Sequence, residues 1–200
     1  MSTKDDYLKR YENHLIPIAE KIQKKLIEEL CSIPRIDRIS ARAKNPERFI
    51  AKASKKENGK QKYLNPLSQI QDQIGARIIV FYLDDVKAIE KEIEGYYRKI
   101  EKKDLVPESD SEFGYFGKHY VLKIPDDVIS DKYEDSEIPE FFELQIKTLF
   151  QHAWSEANHD LGYKPEQELS SYQKRQLAFT AAQSWGADQI FSELHRESSA

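Results

Sequence analysis

The feature that most constrains the fold is an apolar run, ARIIVFYL, at residues 76–83, in which Arg77 is the only charged residue. Its β-branched and aromatic residues favour a strand, and a strand without alternating polar residues is buried on both faces. We therefore predict a central strand of a sheet that is covered by helices. Asp84 follows as a candidate helix cap, and apolar residues at helical spacing extend the predicted helix to Tyr97.

Three further segments have the patterns of strands. Residues 36–44, IDRISARAK, alternate apolar and polar side chains, which predicts a strand with one basic polar face. The segments HYVLKI (119–124) and FFELQIK (141–147) are rich in β-branched and aromatic residues. By contrast, residues 98–114 are charged and turn-rich, and ENGKQK (57–62) has the composition of a basic flexible loop.

Helical spacing of apolar residues predicts a long amphipathic helix over residues 5–30 and another over about 170–195. Asn45-Pro46-Glu47 has the order of a helix start, and Thr148 is a second candidate cap. Shorter helices are therefore predicted over Pro46–Lys56, 64–73 and Thr148 to about Gly162. The element order predicts an α/β (α+β) fold, with a mixed sheet flanked by helices and helical extensions at both ends.

Composition excludes several classes of protein. The 200 residues fit one large domain with extensions, and the net charge of −4 requires that any nucleotide or nucleic-acid site come from a local basic patch. The single cysteine, Cys31, excludes an internal disulfide and a cysteine zinc site. The N-terminal segment is polar, and the longest apolar runs fall far short of the ~18 residues of a membrane span. We expect a soluble, cytoplasmic protein.

A cluster of basic residues is predicted where the first strand passes into the second helix. Arg42 and Lys44 lie on the polar face of the strand, and Lys52 and Lys55 or Lys56 follow along one side of the helix. Such a cleft suits a triphosphate, because Arg and Lys neutralise several phosphate oxygens at once. A solvated charged face, common on helices, would have the same composition.

Two acidic residues form the second candidate constellation. Asp72 precedes the buried strand, and Glu143 lies inside FFELQIK, where it shares one strand face with Gln145 and Lys147. Carboxylates at the rim of a sheet supply the hard oxygen ligands that magnesium requires. A helix-capping Asp and an exposed strand Glu would explain the same residues.

Two other patterns are less specific. His152, Glu156 and His159 share a helix face, but the order differs from that of zinc proteases, so we expect structural hydrogen bonds or a place lining the cleft. Trp154 and Trp185 are most simply core residues. The stretch EFGYFGKHY (112–120) is either a loop that stacks a flat ligand or a hairpin with buried aromatic residues.

Four motifs occur together in a fixed order. They are R-x-K at Arg42–Lys44, D-x-x-G-x-R-I-I at Asp72–Ile79, G-Y-x-x-x-H at Gly114–His119 and E-x-Q-I-[RK]-T at Glu143–Thr148. Taken together, they resemble the synthetase domain of the RelA/SpoT family of alarmone synthetases, over about residues 36–165. No single motif is decisive, but four in the right order are hard to obtain by chance.

The resemblance implies an activity and a domain plan. Members of the family transfer pyrophosphate from ATP to the 3′-hydroxyl of GDP or GTP, with Mg²⁺, on a nucleotidyltransferase-like fold. The chain is similar to the small, synthetase-only members, which lack the hydrolase domain. We then expect an N-terminal helix at 1–35, the synthetase domain at 36–165 and a C-terminal helix at 166–200 that packs on the domain or forms a subunit interface.

The resemblance also assigns the donor side of the site. Asp72 and Glu143 would hold Mg²⁺, and Arg77 would lie near the donor or the metal. The ATP phosphates would be bound by the basic residues Arg42, Lys44, Lys52 and either Lys55 or Lys56. Phosphoryl-type transfer depends on positioning and charge neutralisation, which this residue set can supply.

On the acceptor side, the resemblance implies that Tyr115 stacks on guanine and that His119 and Gln145 line the site. Lys147 would lie near the acceptor phosphates. Glu143, beside the acceptor ribose, is our candidate for the base that takes the 3′-hydroxyl proton.

Departures from the family pattern leave the acceptor open. Gly117 stands where the family usually has Ser. Lys147 stands where the family has Arg, and a lysine cannot form the two parallel hydrogen bonds of an arginine guanidinium. Small relatives also modify the 3′ end of tRNA or adenosine nucleotides, although the net charge of −4 disfavours tRNA. A non-catalytic nucleotide-binding module is the alternative of a different class. The terminal helices have apolar stripes, so a homo-oligomer is a further expectation.

Overall fold

The computed structural model describes residues 3–105, 112–114, 117–129, 138–162 and 169–198. The centre of the fold is a five-stranded mixed sheet. Its strands are β1 (Ile36–Ala43), β4 (Ile74–Val80), β5 (Lys99–Leu105), β6 (Gly117–Lys123) and β7 (Phe141–Thr148). The strand order is β1-β4-β7-β6-β5, with β4 and β7 parallel and the other neighbours antiparallel.

Helices cover the sheet, and further helices lie before its first strand and after its last strand in the chain. They are α1 (Thr3–Arg10), α2 (Ile16–Glu29), α3 (Pro46–Ala53), α4 (Pro66–Gln69), α5 (Leu83–Tyr96), α6 (Leu149–Gly162) and α7 (Ser171–Ser198). A π-helical turn, Tyr11–Leu15, joins α1 to α2, so the long predicted N-terminal helix is confirmed with one irregular turn. That turn ends two residues before Pro17, which has no N–H to donate to a regular helical ladder.

The apolar run at 76–83 forms most of β4, and the predicted central strand is confirmed. Ile74, Ala76, Ile78 and Val80 are buried in the core between the sheet and helices α2 and α5. The strand begins earlier than predicted and ends at Val80, since the chain then turns into α5. Asp84 is not the cap of α5, as had been predicted. The cap position is Tyr82, whose N–H donates to Oδ2 of Asp85 at 3.1 Å.

One strand, the charged strand β5, was not predicted from the sequence. β5 occupies part of the segment that had been interpreted as turn-rich, and it pairs with β6 alone at the edge of the sheet. An edge strand keeps its charges in solvent or in ion pairs, as Lys102 does with Glu90 and Glu94 at 3.0 and 3.1 Å. Its sequence therefore lacks the apolar pattern of a buried strand.

Smaller differences concern loops. The segment ENGKQK, predicted as a flexible loop, contains a short hairpin of β2 (Lys56–Glu57) and β3 (Lys60–Gln61), turned by Asn58 and Gly59 at positive φ. Within 64–73 only α4 is helical. Thr148 does cap α6, because its Oγ1 accepts a hydrogen bond from the N–H of Gln151 at 3.1 Å.

The last helices lie on the outside of the sheet. α7 packs on α6 and α5, and Trp185 of α7 is 43% exposed, so its prediction as a core residue is wrong. Its ring instead meets Phe113 edge-on, with centroids 5.8 Å apart. In the described ranges no helix has both the length and the apolar character required to cross a membrane. The predicted domain boundaries at residues 35 and 166 stay predictions.

Candidate active site

One face of the sheet is polar, and strand register determines which side chains share it. Arg42 of β1 lies opposite Gly75 of β4, which in turn lies opposite Glu143 of β7. In the next row, Arg77 lies opposite Gln145. Because side chains alternate along a strand, these residues project from the same face, while their sequence neighbours enter the core.

Asp72 lies between two lysines at the end of this face. Its Oδ2 atom is 2.7 Å from Nζ of Lys44 and 2.9 Å from Nζ of Lys52. Its second oxygen, Oδ1, is buried without a hydrogen-bond partner. The geometry follows from the predicted helix start, since the Asn45 side chain accepts from the N–H of Glu47 at 2.9 Å and directs α3 back across the site.

Glu143 is the second carboxylate of the site. Its Oε1 atom lies 3.0 Å from Nδ1 of His119 and accepts a hydrogen bond from Nε2 of Gln145 at 2.8 Å. Burial raises the pKa of Glu143, but the hydrogen bonds from His119 and Gln145 and the charge of Lys44 outweigh it and lower the pKa to about 2. Glu143 is therefore ionised at neutral pH.

Two clefts meet at these carboxylates. The first, of about 680 Å³, is lined by the α2 residues Ala19 and Glu20 and by the basic residues Arg42, Lys44 and Arg48. The second, of about 230 Å³, is lined on its polar side by Lys52, Lys103 and His119. Asp72 and Glu143 line both clefts, and among the described residues they are the two that the clefts share.

Arg77 is bound to helix α6. Its Nη1 donates to Oε1 of Glu156 at 2.8 Å and lies 3.3 Å from Nδ1 of His152. Burial and the Arg77 charge lower the pKa of His152. The expected structural role of His152 and Glu156 agrees with these contacts, and the described residues contain no group of three or more potential His, Cys, Asp or Glu metal ligands.

Lys147 differs from the other lysines because its side chain is buried, with 3% of the residue exposed. Its Nζ donates to Oγ of Ser155 at 2.9 Å. Burial, reinforced by the charge of Arg77, lowers the pKa of Lys147 to about 8. The structure thus places this residue against helix α6 rather than on an open surface.

The remaining predicted residues divide into two groups. Arg42, Lys44 and Gln145 line the first cleft, and Lys52 and His119 line the second. Lys55 and Lys56 are exposed and are absent from the lining of both clefts, so their role in binding ATP stays a prediction. Tyr115 lies outside the described residues.

Several cleft residues were not predicted as site residues. Arg48 is four residues before Lys52 on α3, so helical spacing alone could have indicated it. Lys103 belongs to the strand that the sequence analysis missed. Tyr11 and Glu20 come from the N-terminal helices, and no local pattern connects them with residues so distant in the chain.

Comparison with known proteins agrees with this arrangement. Residues 41–168 match the model of the family described as the region found in RelA/SpoT proteins. The chain therefore belongs to the RelA/SpoT family. The GTP pyrophosphokinase YjbM of Bacillus subtilis (strain 168) is 24% identical over 202 residues, which cover 94% of this chain and 90% of that protein.

Solved structures of small relatives share the fold. Small alarmone synthetase 1 from Bacillus subtilis bound to its product pppGpp has a TM-score of 0.74 and 22% identity, covering 98% of each chain. A GTP pyrophosphokinase family protein from Streptococcus pneumoniae has a TM-score of 0.75 and 22% identity, covering 98% of this chain and 95% of that one. The predicted α+β fold, a mixed sheet flanked by helices, is confirmed.

Proposed function

We propose that this protein transfers the pyrophosphate group of ATP to the 3′-hydroxyl of GDP or GTP. The bond between the α- and β-phosphates of ATP breaks, a bond forms between the β-phosphorus and the 3′-oxygen, and AMP leaves. The 3′-hydroxyl loses its proton. The products are AMP and a guanosine tetra- or pentaphosphate.

The observation that carries this proposal is the position of Asp72 and Glu143 between two clefts. A transfer between two nucleotides requires two binding sites that meet at the reacting phosphorus. The volumes of about 680 and 230 Å³ provide space on both sides of the carboxylates. A relative supports a nucleotide donor and a guanosine product, since small alarmone synthetase 1 from Bacillus subtilis has been solved bound to AMPCPP and bound to its product pppGpp.

The carboxylates suit a magnesium ion. Asp72 has a buried oxygen without a hydrogen-bond partner, and Glu143 is held ionised by its neighbours. Hard oxygen ligands on two carboxylates, with phosphate oxygens completing the coordination, are what Mg²⁺ prefers. When bound, the ion would neutralise charge on the phosphates during transfer.

In this proposal, the two lysines that contact Asp72 also bind the phosphates. Lys44 of the first cleft and Lys52 of the second both contact Oδ2 of Asp72, so they lie where the two clefts meet and where the transferred phosphates approach the carboxylate. Arg42 and Arg48 extend the positive charge along the first cleft. We assign this cleft to ATP, because a triphosphate needs several cations to neutralise its oxygens.

The second cleft is assigned to the guanosine nucleotide. His119 and Lys103 line it, and in the sequence Tyr115 is two residues before β6, which carries His119. Glu143 reaches this cleft and can accept a hydrogen bond from the 3′-hydroxyl. With a pKa of about 2 it is a weak base, so orientation of the hydroxyl is a larger part of its role than full proton removal.

The test is an acceptor panel. The protein is incubated with ATP labelled in the γ-phosphate, Mg²⁺ and, separately, GDP, GTP, ADP or deacylated tRNA. Label on GDP or GTP, lost in Glu143→Gln, is the expected result. Label on tRNA alone or on ADP alone would mean that the protein carries out the transfer but uses a different acceptor from a guanosine nucleotide. Label on none of them would overturn the proposal in favour of a nucleotide-binding module.

A further inference from the structure

We propose that Tyr7 and Arg10 of helix α1 are positioning residues that hold the Lys44–Lys52–Asp72 cluster in its working geometry. The three members of this cluster come from three segments: the residue after β1, helix α3 and the segment 65–73, which contains α4. Helix α1 contacts all three, although it lies outside the residues that match the family model. The inference rests on the proposed function for the identity of the ligands.

The first contact fixes the backbone of Lys44. The hydroxyl of Tyr7 donates to the carbonyl oxygen of Lys44 at 2.7 Å, and the N–H of Lys44 donates to the carbonyl of Gln73 at 2.8 Å. Both backbone polar groups of Lys44 are thus held just beyond the end of β1. A fixed Cα restricts where the ammonium group can lie, which is 2.7 Å from Asp72.

The second contact supports Lys52 through its helix. The ring of Tyr7 stacks on Phe49 of α3, with centroids 3.6 Å apart and planes within 4°. Both side chains are fully buried. Phe49 lies one turn before Lys52, so the stack sets the position of the turn from which Lys52 reaches Asp72.

The third contact holds the loop that carries Asp72. Nη1 of Arg10 donates to the carbonyl of Leu67 at 2.8 Å and to Oε1 of Gln73 at 3.2 Å. The buried side chain of Gln73 donates in turn to the carbonyls of Leu67 and Ile70 at 2.8 and 2.9 Å. Gln73 directly follows Asp72, so these bonds define where the carboxylate stands.

The Tyr7 hydroxyl is suited to act as a permanent hydrogen-bond donor. Burial, followed by the charge of Asp72, raises the pKa of Tyr7 well above its ordinary value, so the hydroxyl stays protonated at neutral pH. The hydrogen bond to Lys44 is therefore a constant part of the site. Its loss would free the carbonyl and let the lysine move away from the carboxylate.

The test compares two tyrosines. Tyr7→Phe keeps the stack on Phe49 and removes the bond to Lys44. Tyr97→Phe is the matched control, because Tyr97 is 6% exposed and its hydroxyl donates to Glu29 of α2 at 2.6 Å. Tyr97 directly follows α5, and this bond does not touch the cluster. Arg10→Met tests the loop, and Arg10→Lys, which retains one donor group, should restore part of the loss.

Three quantities are measured for the full-length proteins: stability to urea, calorimetric binding of AMPCPP with Mg²⁺, and kcat and KM for pyrophosphate transfer. For Tyr7→Phe we expect AMPCPP affinity to fall three- to tenfold, since one hydrogen bond commonly contributes about that factor. We expect kcat to fall roughly tenfold, because small displacements of catalytic groups are costly. Tyr97→Phe should lose comparable stability and keep both functional values.

Equal functional losses in the two phenylalanine variants, or unchanged affinity and kcat in Tyr7→Phe, would overturn the positioning role. The proposed function fails separately if the wild type binds AMPCPP but transfers no label. In that case the AMPCPP affinities alone decide the role of Tyr7. A wild type that binds no AMPCPP would overturn the inference as well, because there would be no donor site to position.

Discussion

Nδ1 of His119 lies 3.0 Å from Oε1 of Glu143, which connects strand β6 to the carboxylate at the centre of the candidate site. Gln145 donates to the same oxygen, so Glu143 is held from two sides while still lining both clefts. A carboxylate that is fixed and ionised before any ligand arrives needs little reorganisation when the substrates bind.

Glu143→Gln should lower stability in a pH-dependent manner. The native pKa of about 2 lies below the ordinary value of 4.5, so ionised Glu143 contributes stability above about pH 4.5 and loses that contribution as the pH falls towards 2. We expect the variant to be less stable by on the order of 2 kcal/mol at pH 7, with a smaller difference at pH 3. Urea unfolding at both pH values measures this.

The control for that measurement is Glu28→Gln. The Glu28 side chain is 65% exposed and pairs with Lys24 on the surface at 3.8 Å, so its loss should change little at either pH. A difference between the wild type and Glu143→Gln that is the same at pH 7 and pH 3 would contradict the argument.

Asp72→Asn should lower kcat by about a hundredfold or more, because it removes one of the two carboxylates that would hold Mg²⁺ at the transferring phosphates. It also leaves the ammonium groups of Lys44 and Lys52 without the carboxylate that they share at 2.7 and 2.9 Å. The expected loss of stability is only about 1 to 2 kcal/mol, since the pair is partly exposed. Steady-state kinetics and urea unfolding separate the two effects.

Asp127→Asn is the matched control for Asp72. Asp127 forms an ion pair of the same length, 2.7 Å, with Lys25, but its side chain is 65% exposed and lies in neither cleft. Transfer should continue at the wild-type rate in this variant. Retention of activity in Asp72→Asn would remove that residue from the proposed site.

Lys147→Met should stabilise the protein at neutral pH, as measured by urea unfolding at pH 7 and pH 10. Burial and Arg77 lower the pKa of Lys147 from 10.5 to about 8, so its charged form is disfavoured in the native state. The stability associated with this group is present above pH 10.5 and is lost as the pH falls through about 8. We expect the variant to gain on the order of 1 kcal/mol at pH 7 and less at pH 10.

Asp188→Asn tests a buried acid outside the candidate site. Asp188 accepts a hydrogen bond from Oγ1 of Thr148 at 2.8 Å, and burial raises its pKa to about 6 in spite of that bond. Its stabilising contribution is present below about pH 3.8 and is lost as the pH rises through 6. Asn keeps an acceptor for Thr148, so the variant should be about 2 kcal/mol more stable at pH 7.5 and nearly equal at pH 4. Thermal unfolding that shows no gain at pH 7.5 would contradict the assignment.

The sequence predicted those parts of the site that have a local pattern. Asp72 and Glu143 are far apart in the chain, yet each lies in a recognisable motif, and the parallel pairing of β4 with β7 brings them together. The basic face of β1 and the start of α3 at Asn45 were predictable for the same reason.

The contacts of Tyr7 and Arg10 were not predictable. Both act on backbone carbonyls 37 and 57 residues away, and a carbonyl acceptor places no requirement on the residue type that carries it. The burial of Lys147 was missed because a lysine at an alternating strand position normally indicates solvent. Here helix α6 covers that end of the polar face, and Ser155 contacts the ammonium group.

The most direct test of the central claim is the ratio of AMP to modified guanosine nucleotide when the protein acts on ATP and GDP with Mg²⁺. Transfer across Asp72 and Glu143 predicts one AMP for each GDP that gains two phosphates, measured by chromatography and mass spectrometry of the same reaction. Formation of ADP together with a GDP that gains a single phosphate would contradict pyrophosphate transfer. AMP formed without any modified nucleotide would show hydrolysis instead, and it would contradict the assignment of the second cleft to an acceptor.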